Sequence, residues 1–344
     1  MALRSLFLLF LIFGILPPAN TMDARATLEL ELVAEIQLDE NLRATSDQLN
    51  GKWIRSGDKF IHSDEQAIVA VVYDMDGQQL AELGERGDRS FQYTAVMDMF
   101  ATDEEIKLFS EDGRRLTFDK QGEELNEDDL FSDNYHRILG SEERLYALPS
   151  NPEDETALYK FEINNRGQVA GNEEIGEVSH EDRWLRNIAF SGGIVTSGEE
   201  VYWVTPASVK VNYYKPGNEE IEVFEPELPE SWRNTEIEAG SEEIQDDPEI
   251  LIEFMENRSV MQGLYNLGEE WLLEIGHNHT GEMELLLMDH NFEVTHATTL
   301  SPDFLDQFGQ RIRMADETGI YFYNETISGD GSFDKVLTRW ELVP

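Results

Sequence analysis

The chain has 344 residues, and 71 Asp and Glu against 26 Lys and Arg give it a formal charge of -45. This balance excludes a nucleic-acid binder that works through a general basic surface, because phosphate binding depends on clustered cations. Forty per cent hydrophobic residues, with 18 Phe, 11 Tyr and 6 Trp, are enough for a real core, so the acidity does not mean disorder. The absence of cysteine removes disulfides, thiolate nucleophiles and zinc-thiolate sites together, and no cofactor is implied.

At the N-terminus, Arg4 precedes an apolar run from Leu6 to Leu16 broken only by Gly14, and Pro17, Pro18 and small residues lead to Ala24-Arg25-Ala26. This pattern predicts a signal peptide over residues 1–26, and hence a periplasmic or secreted protein. The run is too short to cross a bilayer at the usual ~20 residues, and no later run approaches it, so no membrane span is expected after cleavage. Residues 27–344 are then read as one domain, on the strength of their repeats.

Six apolar runs follow a turn or an acidic pair and read as short strands. They begin at Phe60, Ile106, Arg144, Val201, Trp271 and Ile320, in steps of 46, 38, 57, 70 and 49 residues. Aromatic and β-branched strands at a mean period of 52, without a long helical pattern, predict the four-stranded antiparallel blades of a propeller. Each unit reads as strand, turn, strand, loop, strand, hairpin, strand, with the hairpins expected at Asp76-Gly77, Asp112-Gly113, Arg166-Gly167 and Pro216-Gly217 and His290-Asn291 in the corresponding place of the fifth unit. The sixth unit ends one strand short at Val336 to Val343, and Thr27 to Ile36 alternates like a strand ahead of the first complete unit. The expected fold is therefore an all-β, six-bladed propeller closed by an N-terminal strand in its last blade.

Two short helices are predicted between an outer strand and the next inner strand. Asp247-Pro248-Glu249 precedes Ile250, Leu251, Phe254 and Met255, and Ser301-Pro302-Asp303 precedes Phe304, Leu305 and Phe308 and stops at Gly309. Such connections emerge on one face of the disc, where propellers hold their ligands.

The segment Gly84-Glu85-Arg86-Gly87-Asp88-Arg89-Ser90-Phe91, a G-x-x-G-x-x-x-F lead-in to a blade, and the following Phe100 to Phe118 resemble the bacterial six-bladed β-propeller family related to NHL repeats. The resemblance covers residues 27–344 in architecture and about one blade in motif. It implies the propeller fold and a family of mostly secreted or periplasmic proteins with binding roles.

Motifs of catalysis are missing: there is no G-x-S-x-G, phosphate loop or H-E-x-x-H. Asp74-Met75-Asp76-Gly77 begins like a calcium loop, but Gln79 stands where that loop needs glycine, and a hairpin is the better reading. His277-Asn278-His279 could offer two metal ligands with His296 or an acid as a third, yet its Gly and Thr neighbours point to a solvated turn.

Scarce cations recur at or just before the first strand of five units: Arg55, Arg137, Arg183 with Arg186, Arg258, and Arg311 with Arg313. First strands line the central channel, so Arg55, Arg137, Arg186, Arg258 and Arg313 are candidates for an anion site at its mouth. The alternative is that each arginine neutralises acids between blades.

Two functions fit. One is a non-catalytic binding or scaffold propeller holding a small anionic ligand or a protein partner on the channel face. The other is a calcium-dependent hydrolase resembling the gluconolactonase type, with acids, Asn187 and Asn324 at the mouth. The carboxylate-rich composition, with only 8 Lys beside 18 Arg, also suits a salt-rich (halophilic) habitat in which screening reduces self-repulsion.

Overall fold

A computed structural model of the chain describes residues 26–39, 43, 51–63, 67–102, 104–131, 135–141, 143–151, 153–186, 193–218, 220–234, 256–327 and 333–343. Among the described residues, the strands form six blades of four antiparallel strands each. Blade 1 comprises Lys52–Ser56, Lys59–Ser63, Ala70–Asp74 and Gln79–Leu83, and blade 2 comprises Val96–Ala101, Glu105–Ser110, Arg114–Asp119 and Glu124–Asp129. Blade 3 runs through Tyr135–Gly140, Arg144–Pro149, Thr156–Ile163 and Val169–Glu177, and blade 4 through Ile194–Ser197, Glu200–Thr205, Ser208–Tyr214 and Glu222–Phe224. Blade 5 contains Ser259–Asn266, Trp271–His277, Glu282–Met288 and Val294–Leu300. Blade 6 contains Ile312–Asp316, Gly319–Ile327 and Phe333–Val343, with Glu29–Gln37 as its outer strand.

The first strand of every blade contacts the first strands of both neighbouring blades, which closes the ring around a central channel. Each of the six apolar runs marked in the sequence is a second strand.

Why these runs are continuously apolar follows from their surroundings. A blade is covered on both faces, so alternate side chains enter two different cores. Phe60 and Val71 pack toward blade 6 with Tyr321, Tyr323 and Leu337, whereas Ile61 and Val72 pack toward blade 2 with Ile106, Leu108 and Phe118. Four further clusters occupy the remaining gaps between blades, giving one core per blade pair. Each fully buried large side chain there contributes ~1.5–3 kcal/mol.

Ring closure is antiparallel, with Glu29 opposite Val343 and Gln37 opposite Val336. The predicted strand from Thr27 is divided, however. Ala26–Thr27 pairs in parallel with His296 and Ala297, adding a fifth strand to blade 5. Leu28 is 1% exposed and donates its N–H to the Ala297 carbonyl, which anchors the crossing from blade 5 to blade 6.

In blades 1, 2, 3 and 5 the hairpins between third and fourth strands share one chemistry. The side-chain oxygens of Asp74, Asp119, Asn164 and Asp289 each accept N–H bonds from residues two and four positions ahead. The residue three ahead takes positive φ: Gly77 at 85°, Gly122 at 86°, Gly167 at 75° and Phe292 at 63°. Glycine meets that conformation without a Cβ penalty, whereas Phe292 is held there by an aromatic cluster with Tyr202, Phe224 and Trp271. Asp112-Gly113 is a hairpin one strand earlier than expected, between the second and third strands of blade 2, and Gly122 occupies the position assigned to it.

The helix expected after Ser301 spans Pro302–Phe308; the Ser301 hydroxyl accepts from the Phe304 N–H, and Gly309 follows its C-terminus. A second helix, His180–Arg186, was not anticipated and connects blades 3 and 4. Ser179 caps it by accepting from the Asp182 N–H at 3.0 Å. Residues 1–25 of the expected signal peptide (1–26), the predicted helix after Asp247, and Asn187 lie outside the described residues.

Candidate functional site

The first strands enclose a cavity of about 950 Å³ whose wall draws on all six blades. Six of its lining residues are cationic (Lys52, Arg55, Arg86, Arg137, Arg311 and Arg313) and three are acidic (Asp98, Glu111 and Asp316). The sign of this wall is opposite to that of the whole chain, in which acids outnumber bases 71 to 26.

Local chemistry sets how firmly each cation is held. Arg137, on the inner strand of blade 3, donates Nε to Asp98 Oδ2 of blade 2 at 2.9 Å, and the same oxygen accepts the Ile138 N–H at 2.7 Å. Asp98 is 2% exposed, and its charge pushes the Arg137 guanidinium further up. Arg55 of blade 1 donates Nη1 to Asp316 Oδ2 of blade 6 at 3.1 Å and to Thr318 Oγ1 at 2.5 Å. Both pairs span adjacent blades at the channel wall.

Blade 6 supplies two arginines close together. Arg313 is 8% exposed, and burial plus the neighbouring Arg311 charge pushes its guanidinium down to about 9. Behind them lies Glu274 of blade 5, fully buried, accepting the Tyr265 hydroxyl at 2.7 Å and the Ile312 N–H at 3.0 Å. Burial raises the Glu274 carboxyl, while Arg311 and Arg313 act in the opposite direction. Tyr265 is pushed well up by burial and by Glu274, and both Arg311 and Arg137 oppose that rise.

Of the five arginines singled out in the sequence, Arg55, Arg137 and Arg313 line this cavity. Arg258 does not; it is fully buried and bonds Glu181 of the His180–Arg186 helix at 2.8 Å and Asn234 at 2.9 Å. It lies one residue before its strand, and its guanidinium ties the start of blade 5 to the helix between blades 3 and 4. Arg186 ends the helix instead of preceding a strand directly, and its side chain lies outside the described residues. Lys52 and Arg86 are wall residues that the sequence reading passed over. Lys52 opens an inner strand, a signal that could have found it, whereas Arg86 sits in the connection leading to blade 2.

The expectation of a solvated turn at His277 is corrected. His277 is the last residue of a second strand and 1% exposed, with Nδ1 2.7 Å from Ser259 Oγ and Nε2 3.1 Å from Glu284 Oε2. Ser231 donates to the same Glu284 oxygen at 2.6 Å, so the cluster fastens the approach to blade 5 onto its sheet. His296 sits on the outer strand and contacts Thr295. Asn324 is on a second strand and donates to the Gln307 carbonyl, away from the cavity lining. Among the described residues, no group of three or more His, Asp or Glu side chains is placed to hold a metal ion. Also among the described residues, no helix is long and apolar enough to cross a membrane.

No family model matches the sequence, and no curated protein matches it. Solved structures do share the fold. The "Putative exported protein" of Bacteroides fragilis is 12% identical with a TM-score of 0.62, over 94% of this chain and 98% of its own. A member of the DUF4221 family from Bacteroides vulgatus is 10% identical with a TM-score of 0.64, over 92% of this chain and 99% of its own. At such identities the likeness shows the fold alone: the chain is a six-bladed β-propeller.

Proposed function

We propose that this propeller acts outside the cytoplasm as a non-catalytic binding protein that holds a small anion in its central channel. The observation that carries the reading is the inverted charge of the wall, six cations to three acids in a chain of charge -45. Clustering so many of the scarce cations in one concavity opposes their mutual repulsion, and a ligand carboxylate or phosphate would relieve it through charge-assisted bonds. The strongly acidic exterior does not attract such a ligand from afar, so selectivity rests on the channel itself. Export is supported by the leader-like residues 1–26 and by the name of the Bacteroides fragilis neighbour. The G-x-x-G-x-x-x-F lead-in at Gly84 to Phe91 supports kinship with the NHL-related propellers.

Isothermal titration of the purified protein with acetate, succinate and inorganic phosphate tests the reading. At least one should bind, and Arg311→Gln should weaken it about tenfold or more, the worth of one charge-assisted bond of ~1.5–3 kcal/mol. Absence of binding by all three at low salt would overturn it.

A further inference from the structure

Around the ring, the channel wall divides into two arcs of different chemistry. Every charged lining residue belongs to blades 1, 2, 3 or 6 or to the connection between blades 1 and 2. Blades 4 and 5, neighbours in the ring, contribute none among the described residues. Their arc is nevertheless polar. Beside Val195 and Leu264 it presents Thr196 on the inner strand of blade 4 and Gln262, Tyr265 and Asn266 on that of blade 5, all four half-buried and able to hydrogen-bond without charge.

A β-bulge shapes this arc. The pairing of the blade 5 inner strand shifts between Met261 and Gly263, which leaves Gln262 as an extra residue with no opposite number on the second strand. Two glycines make room for the side chains around it: a Cβ on Gly276 would collide with the Gln262 amide nitrogen, and one on Gly263 would stand 2.5 Å from the Tyr265 hydroxyl. The Tyr265 hydroxyl is committed to Glu274 at 2.7 Å. The other three side chains keep bonding capacity among the described residues. Gln262 Oε1 is buried with no hydrogen-bond partner, neither the Gln262 amide nor the Thr196 hydroxyl bonds a described residue, and Asn266 uses only its Oδ1, on the Gly268 N–H at 2.7 Å.

Resting on the anion-binding reading, we infer that the ligand is a hydroxylated carboxylate of the sugar-acid type, its carboxylate toward the charged arc and its hydroxyls toward Gln262, Thr196 and Asn266. A hydroxyl both donates and accepts, as do a primary amide and a threonine hydroxyl, so an alcohol-bearing chain can satisfy this arc in more than one pose. An alkyl chain in the same place displaces water and leaves the amide and hydroxyl without partners, and a site built to bond hydroxyls rejects the analogue that lacks them for that reason. The cavity of about 950 Å³ has room for a ligand of this size.

The test compares glucuronate, hexanoate and inorganic phosphate by titration calorimetry at about 10 mM ionic strength, where the Debye length is ~30 Å. Glucuronate and hexanoate carry the same charge and the same number of carbons, and glucuronate should bind at least tenfold more tightly. The double variant Gln262→Leu with Thr196→Val removes the amide and the hydroxyl at similar volume, and it should bring glucuronate down to the hexanoate level. Because neither group bonds a described residue, its loss should leave the Tm unchanged, which separates an effect on binding from one on folding. Thr196→Val alone, on the other strand, serves as the second variant if the change at the bulge perturbs folding, and it should reduce the preference for glucuronate several-fold. Glucuronate no tighter than hexanoate, or a preference that survives in the variants, would overturn the hydroxyl-binding arc, while phosphate binding would leave the anion site standing. Failure of all three to bind would overturn both.

Discussion

His62 provides a sharp test of how the charged wall and the core are coupled. It lies on the second strand of blade 1, 2% exposed, stacked on Trp53 with ring centroids 4.3 Å apart, and its Nε2 has no hydrogen-bond partner among the described residues. Burial, then the charges of Lys335 and Arg313, push its imidazole down from 6.5 to about 3. The folded protein thus keeps His62 neutral while the unfolded chain takes up a proton below pH ~6.5. Because the unfolded state binds the extra proton, the stability that depends on neutral His62 is complete above pH ~6.5 and is lost as pH falls toward 3.

At 1.36 kcal/mol per unit, lowering the pH from 6.5 to 5.0 removes about 2 kcal/mol through this residue alone. At ~2–4 °C per kcal/mol, the loss corresponds to roughly 4–8 °C in Tm. Carboxylates titrate over the same range, so the useful quantity is a difference of differences. His62→Phe keeps an aromatic ring over Trp53 and removes the titration. The drop in Tm between pH 6.5 and 5.0, measured by calorimetry at constant ionic strength, should be smaller in the variant by that amount. Identical drops, or an NMR titration of His62 near pH 6.5 in the folded protein, would refute the reasoning.

Phe292→Gly should destabilise less than Phe292→Ala, by about 1 kcal/mol in urea unfolding, because alanine retains the positive-φ penalty after the aromatic packing is gone; the ordinary order, with alanine milder, would count against strain at this turn. Deleting residues 26–37 uncovers the outer edge of blade 6 and removes the buried Leu28 and Ile36 from the core, so several kcal/mol should be lost, with the Tm falling accordingly. Tm should also rise between dilute buffer and molar salt, as the Debye length falls below ~10 Å and the repulsion within a chain of charge -45 is screened. A flat profile would argue against adaptation to high ionic strength.

The fold was legible because a propeller repeats one local instruction. Second strands are buried on both faces, so Phe60-Ile61, Leu108-Phe109 and Tyr321-Phe322 stand out as apolar runs whatever the loops between them do. The turns were half legible. Reading the turn dipeptide alone assigned Asp112-Gly113 to the wrong strand pair, since the repeated signal in four blades is the Asp or Asn three residues before the positive-φ residue, which bonds the turn backbone. Read that way, Asp119 through Gly122 marks blade 2 and Asp289 through Phe292 marks blade 5, although blade 5 has no glycine there. The His180–Arg186 helix escaped because it spans only seven residues and its Ser179 cap follows an outer strand without a proline to mark the start.

The channel was less legible than the fold for a reason of register. Proximity to an inner strand does not say which way a side chain points, and a shift of one residue exchanges the channel for the gap between blades. Arg313 lies within its strand and reaches the wall, whereas Arg258 lies one residue before its strand and is held, buried, by Glu181 of the helix between blades 3 and 4. The two alternatives for the arginines also proved to be less opposed than they look in sequence. Arg55 and Arg137 pair with acids of the adjacent blade and line the cavity at the same time, because the seam between two inner strands opens directly onto the channel. A guanidinium with several donors can keep one bond to its neighbour and present the remainder to a ligand. Interblade pairing in this geometry fixes the orientation of the cation, and that preorganisation lowers the entropic cost of binding an anion against it.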